Sequence, residues 1–140
     1  MSDKQSVDDD DAECRYDIRL LISHPSIDPA RITSVLGKTP GHAAKSGAPT
    51  GGRHVHRLSF WNHSHEIKGK RRFFSSFAET LDWLEPHRAF LADIVKEGGS
   101  IMLIVNLPGD TNIGSTLSWQ DMARLVALKI DLGVEVFPDM

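Results

Sequence analysis

Four histidines stand in two alternate pairs within one short stretch, His54 with His56 and His63 with His65. In an extended chain, residues two apart share a face, so each pair could bring two imidazole nitrogens to one metal ion. A closed site also needs a carboxylate or thiolate, and a second layer of partners to orient the rings. Glu66 is the one acid close by. The expectation is therefore hydrogen-bonded or solvent-facing histidines on a cationic strand, with no metal and no other cofactor.

The longer segment 45–72 that contains this stretch is strongly basic. Lys45, Arg53, Arg57, Lys68, Lys70, Arg71 and Arg72 are opposed within it only by Glu66, and Phe60, Trp61, Phe73 and Phe74 are interleaved with them. Cations alternating with stacking surfaces suit a single-stranded nucleic acid. They equally suit an acidic protein partner, steered in by charge and anchored by an aromatic side chain. The second reading leads, because Phe60 and Trp61 point to opposite faces of a strand and one of them must belong to the core. Arg57, Lys70, Arg71 and Arg72 are the expected contributors, with the exposed one of Phe60 and Trp61 as anchor.

Other chemistries are less well supplied. The stretch 109–116, GDTNIGST, has the two-glycine spacing of a phosphate loop, but Ser115 stands where its lysine is needed. Gly37-Lys38-Thr39 has the lysine, yet Ile32 occupies the upstream glycine position and the segment ends a helix when it should begin one. Cys14 has no neighbour to activate it, no serine sits in a nucleophile elbow, and Asp82 with Glu85 read as a solvated helix face. A small hydrolase or another enzyme with an unrecognised site remains the alternative to a non-catalytic binding domain.

These residues need a scaffold, and 140 residues with 40% hydrophobic and 25% charged content can build one. The first thirteen residues hold six acids and one lysine, which predicts a disordered acidic tail over 1–13 and one α+β domain over 14–140. No apolar run approaches membrane-spanning length, and a single cysteine points to a reducing compartment, so a cytoplasmic protein is expected.

The organising element is a long helix over 75–97. Phe77, Leu81, Leu84, Leu91, Ile94 and Val95 recur at helical spacing, Ser76 with Glu79 suggests a capping box, Pro86 a kink and Gly98 a left-handed stop. Alternation from Tyr16 to Ile22 predicts a strand ended by His24-Pro25, and Asp28-Pro29 opens a short helix with Ile32, Val35 and Leu36 buried. The Gly- and Pro-rich 39–52 reads as a surface loop, 54–65 as a second strand, 66–74 as a basic turn and 101–107 as a central strand. A weaker strand over 112–117 follows. Ser118 then caps a third helix that buries Met122, Leu125, Val126 and Ile130, and 134–137 form a last strand after Gly133.

Offset by 90 positions, Ile27-Asp28-Pro29 with Ile32, Val35 and Leu36 falls on Leu117-Ser118-Trp119 with Met122, Leu125 and Val126. The expected architecture is thus a two-layer α+β sandwich: about five strands in a mixed or antiparallel sheet, one long and two short helices, and β-α-β halves related by a pseudo-twofold.

Several short motifs carry a resemblance: Ile27-Asp28-Pro29 through Leu36-Gly37 with Thr39-Pro40, Lys45-Ser46-Gly47, Leu58-Ser59-Phe60-Trp61, the Leu81 to Pro86 helix, and Leu132-Gly133-Val134. Together they resemble domain-of-unknown-function family 4279, over about 14–137. The resemblance implies a small bacterial α+β domain without established catalytic residues, and an immunity-type or other protein-interaction role.

Overall fold

A computed structural model of the protein describes residues 15–68, 72–109 and 114–137. The expected tail and Cys14 lie outside these residues. Strand β1 (Arg15–His24) is the middle of the sheet. Its alternation buries Tyr16, Ile18, Leu20 and Ile22 on one face and turns Arg15, Asp17 and Arg19 to the other. It pairs antiparallel with β3 (Ser59–Lys68) on one side and β4 (Ser100–Pro108) on the other. The sheet is completed by β2 (His42–Ala44), antiparallel to β3, and β5 (Asp131–Phe137), parallel to β4, giving the order β2-β3-β1-β4-β5. The result is an α+β fold with a five-stranded mixed sheet.

Helix α1 (Pro29–Leu36) opens as its sequence dictates: the Asp28 carboxylate accepts from the Ala30 N–H, Pro29 occupies the first turn and Gly37 closes it with φ 72°. The long helical stretch is really two helices, α2 (Phe77–Leu84) and α3 (Arg88–Lys96), joined by a 3₁₀ turn at Glu85–His87. Pro86 has no N–H to continue the α pattern, and the break falls there. Phe77, Leu81, Leu84, Leu91 and Ile94 are buried against the sheet. Each fully buried side chain of this kind contributes about 1.5–3 kcal/mol. The capping box does not form, because a 3₁₀ turn at Phe73–Ser76 leads into α2 and leaves Ser76 helical; its hydroxyl meets that of Tyr16 at 3.3 Å.

The far end of α3 is tied to β1. Gly98 adopts φ 97°, and a Cβ on Gly99 would lie 2.5 Å from the Ser23 carbonyl, so only glycine lets the chain turn so close to β1. His24 completes the junction. The Ser26 and Ile27 N–H groups both donate to its Nδ1, at 3.0 and 2.9 Å, which leaves the proton on Nε2 to donate to Glu97 at 2.7 Å.

Elsewhere the structure departs from the pattern in the sequence. The second strand begins at Ser59 and runs through Lys68, well into the expected basic turn. The 39–52 loop contains β2, and its remainder is a hydrogen-bonded hairpin in which Gly47 and His56 N–H groups donate to His56 and Ala48 carbonyls. No strand forms over 114–117, while 112 and 113 lie outside the described residues. Helix α4 (Trp119–Leu128) starts at Ser118 as expected, the hydroxyl accepting from the Asp121 N–H, but it is rolled: Leu125 and Leu128 are buried, whereas Met122 and Val126 are exposed. Lys129, with φ 60°, ends it ahead of Gly133, which lies inside β5.

The two capped helices do echo one another. Their return strands do not, since β1 and β3 are antiparallel while β4 and β5 are parallel. A twofold relating the halves would require the same direction in both.

Candidate functional site

The register of β3 on β1 sets Trp61 opposite Ile22, His63 opposite Leu20, His65 opposite Ile18 and Ile67 opposite Tyr16. Directly paired residues share a face, so these four side chains of β3 lie on the helix side of the sheet. Phe60, Asn62, Ser64 and Glu66 lie on the open side. Trp61 is therefore the core member of its pair: it is fully buried, and its indole N–H donates to the Thr33 hydroxyl at 3.0 Å. As a binding candidate it is withdrawn. Phe60 is half-buried on the open face, with the His56 ring edge-on at 5.2 Å.

Beyond Trp61 a cleft of about 290 Å³ opens beside β3. Its floor is His63 and His65, one wall is Lys38 just beyond the α1 cap, and the other is Glu79, Thr80 and Trp83 from α2. Three contacts fix this geometry. The Trp83 indole N–H donates to the Leu36 carbonyl at 2.9 Å, satisfying an orphan acceptor at the end of α1. The Lys38 ammonium lies 5.8 Å from the Trp83 ring centre. His63 Nδ1–H donates to the Thr39 carbonyl at 2.8 Å, so the neutral ring presents Nε2 as an acceptor.

The rings are grouped as well as oriented. His63 stacks with His65 at 6.5 Å and meets the Trp83 ring at a steep angle at 6.2 Å. Although much of the His65 surface is open to solvent, its pKa lies below the ordinary histidine value. Desolvation in the cleft is the main cause, followed by His63 and the Lys38 ammonium, against the opposing pull of Asp17 and Glu79. The cleft thus combines a cation, two imidazoles, one carboxylate and an aromatic wall. An incoming anion would pair with Lys38 and favour protonation of His65, which the cleft otherwise disfavours.

The remaining sequence candidates are dispersed. His54 is exposed and His56 half-buried on the hairpin, apart from the His63–His65 pair, and among the described residues no three His, Cys, Asp or Glu side chains are grouped to hold a metal. Arg57 is exposed two residues before β3, while Lys68 ends the strand, about 30 Å from its first residue at the usual rise. Arg72 is exposed just before the 3₁₀ turn, and Lys70 and Arg71 lie outside the described residues. Among the described cations, Arg57 and Lys68 accordingly flank opposite ends of β3.

A profile of the family described as "Domain of unknown function (DUF4279)" matches residues 12–137, nearly the whole chain. The chain belongs to the DUF4279 family. No curated protein and no solved structure matches it. Of this DUF4279 domain's cleft, the alternate histidines are readable in the sequence. Lys38, Glu79, Thr80 and Trp83 are not, because they meet only when α1 and α2 converge over β3. A faint signal existed in Trp83, an indole one position off the buried stripe of α2 and in need of a hydrogen-bond partner.

Proposed function

We propose that this is a non-catalytic binding domain of the bacterial cytoplasm, a protein-interaction module of immunity or related type, whose partner presents acidic side chains to the β2 edge of the sheet. What supports the reading is the cleft, where Lys38 stands beside Trp83 with His63 and His65 as floor, a set of groups suited to a carboxylate. Arg57 and Phe60 extend the contact, Arg57 by steering and Phe60 as apolar anchor.

The test is calorimetric titration with a short polyglutamate peptide. Lys38→Ala is expected to weaken binding about tenfold, equivalent to roughly 1.4 kcal/mol, and Glu79→Gln to strengthen it by removing the opposing charge. Affinity should rise, with net proton uptake, as pH falls below the ordinary histidine value into the lowered range of His65. A single-stranded oligonucleotide bound in preference to the peptide, with loss on Arg57→Ala or Arg72→Ala, would replace the protein partner by nucleic acid.

One observation favours a second reading, a small hydrolase or other enzyme. His65 is held neutral beside Thr80 and Glu79, and a neutral imidazole in a cleft can accept a proton. Turnover of p-nitrophenyl esters or phosphates that disappears in His65→Gln, with the fold retained, would establish it over simple binding.

A further inference from the structure

The β5 side of the molecule is built differently from the cleft side. Leu132, Val134 and Val136 project from β5 on the helix face of the sheet, yet all three are exposed. Beside them α4 exposes Trp119, Met122 and Val126, an i, i+3, i+7 stripe on the side turned away from the core. Among the described residues, a helix face and a sheet face are thus both left without cover around the edge strand β5.

Exposed edge strands are ordinarily blunted by lysine, proline, a bulge or shortness. β5 spans seven residues, Asp131–Phe137, with neither lysine nor proline among them. Its order of residues is also self-complementary. In an antiparallel pairing of two copies centred on Val134, Leu132 faces Val136 and Val134 faces Val134 on the helix side; on the open side Asp131 faces Phe137 and Gly133 faces Glu135. Every acid meets an uncharged residue. Shifting by one pair to centre on Gly133 sets Asp131 against Glu135 twice, and centring on Glu135 sets that residue against itself. Like charges directly opposite are destabilising, so the register with full strand overlap is also the one free of repulsion.

We infer that β5 pairs antiparallel with β5 of a second copy about a twofold axis at Val134, joining two five-stranded sheets into one of ten strands. The two α4 helices then lie on the same face and close their Trp119, Met122 and Val126 stripes over the paired valines. A stable interface needs roughly 800 Å² from each partner, which is why the α4 stripe matters in addition to the strand. The chain's own first thirteen residues are a poorer occupant: they carry six acids and little apolar material, against an edge that already holds Asp131 and Glu135.

Analytical ultracentrifugation of the full chain over a wide concentration range tests this. A reversible dimer is expected, reduced to the 15.5 kDa chain by Val134→Lys, which sets two lysines face to face, and weakened by Val126→Lys on α4. Both positions are exposed in the single chain, so a circular dichroism spectrum should show each variant folded. In a Cys14→Ser background, Val134→Cys is expected to form a covalent dimer on oxidation. A wild-type chain that stays monomeric, a dimer unaffected by both lysine variants, or one that Val134→Cys cannot cross-link would each overturn the proposal. Dimerisation seen only after removal of residues 1–13 would overturn it too, by assigning the edge to that segment.

Discussion

The two edges of the sheet end in opposite ways. At one, β2 is three residues long, is prolonged by a hydrogen-bonded hairpin, and lies beside a polar cleft with a satisfied framework of indole, imidazole and backbone groups. At the other, β5 is longer and its apolar residues are exposed alongside the apolar stripe of α4. The same core supports both, since a single cluster of buried side chains runs from Leu36 and Trp61 to Leu125 and Leu128. Exposure alone therefore does not locate the small-group site. Chemistry is concentrated where polar groups are held in fixed orientation, and apolar exposure marks where another surface must supply the cover.

The largest difference is expected between the two tryptophans. Trp61→Ala, on the β2 side, removes a fully buried ring and its hydrogen bond and is expected to cost about 3–5 kcal/mol. Trp119 on α4 is 70% exposed, so Trp119→Ala should change the stability of the single chain by no more than about 0.5 kcal/mol. Urea denaturation at low protein concentration would measure both. Similar losses would mean that the α4 stripe is already covered within one chain.

A smaller effect is expected where β1 meets α3. His24→Ala strands two backbone N–H groups and the Glu97 partner, and should cost about 1–3 kcal/mol in the same assay. This junction serves both edges, so its loss should not favour one side in hydrogen exchange.

Much of this frame was legible because it follows from local rules. Tyr16 to Ile22 alternated, Asp28 and Ser118 capped helices, and Pro86 and Gly98 broke and ended them where their backbone chemistry requires. The misreadings came from choices that only tertiary packing makes. Met122 and Val126 fit a buried helix stripe as well as Leu125 and Leu128 do, and the roll of α4 is set by contacts made elsewhere. Arg124 supplies one: it donates to Glu85 at 2.7 Å and Asp82 at 2.6 Å, turning two carboxylates that read as a solvated face into a clamp between α4 and the end of α2 with the turn after it, Glu85 and then Asp82 raising the pKa of the guanidinium. Likewise the hairpin after β2 is ordered by pairings between its own two arms, which composition does not reveal.

Because the clamp is largely open to solvent, Arg124→Ala should cost only about 0–1 kcal/mol, with the loss shrinking as salt is added. Its main signature would be faster amide exchange in α4 than in α2. A uniform change across the molecule would show that the clamp does not set the position of α4.

The smallest effect is a pH dependence on the cleft side. The folded state disfavours protonated His65, whereas the unfolded chain takes up that proton near the ordinary histidine value of 6.5. Below that value the unfolded state binds more protons, so stability should fall as pH drops from about 6.5 to the lowered folded pKa and be flat above it. His65→Gln should remove this slope, and a slope that persists would belong to another group.

The claim that the cleft is the binding site is tested most directly by ¹H–¹⁵N spectra recorded during titration with polyglutamate peptide. The expected result is that the Trp83 indole and the His63 and His65 amides move first and together, and that Lys38→Ala shifts this movement to about tenfold higher peptide concentration while leaving the rest of the spectrum in place. Movement confined to the hairpin over 45–58, or to α4 and β5 with the cleft silent, would contradict it.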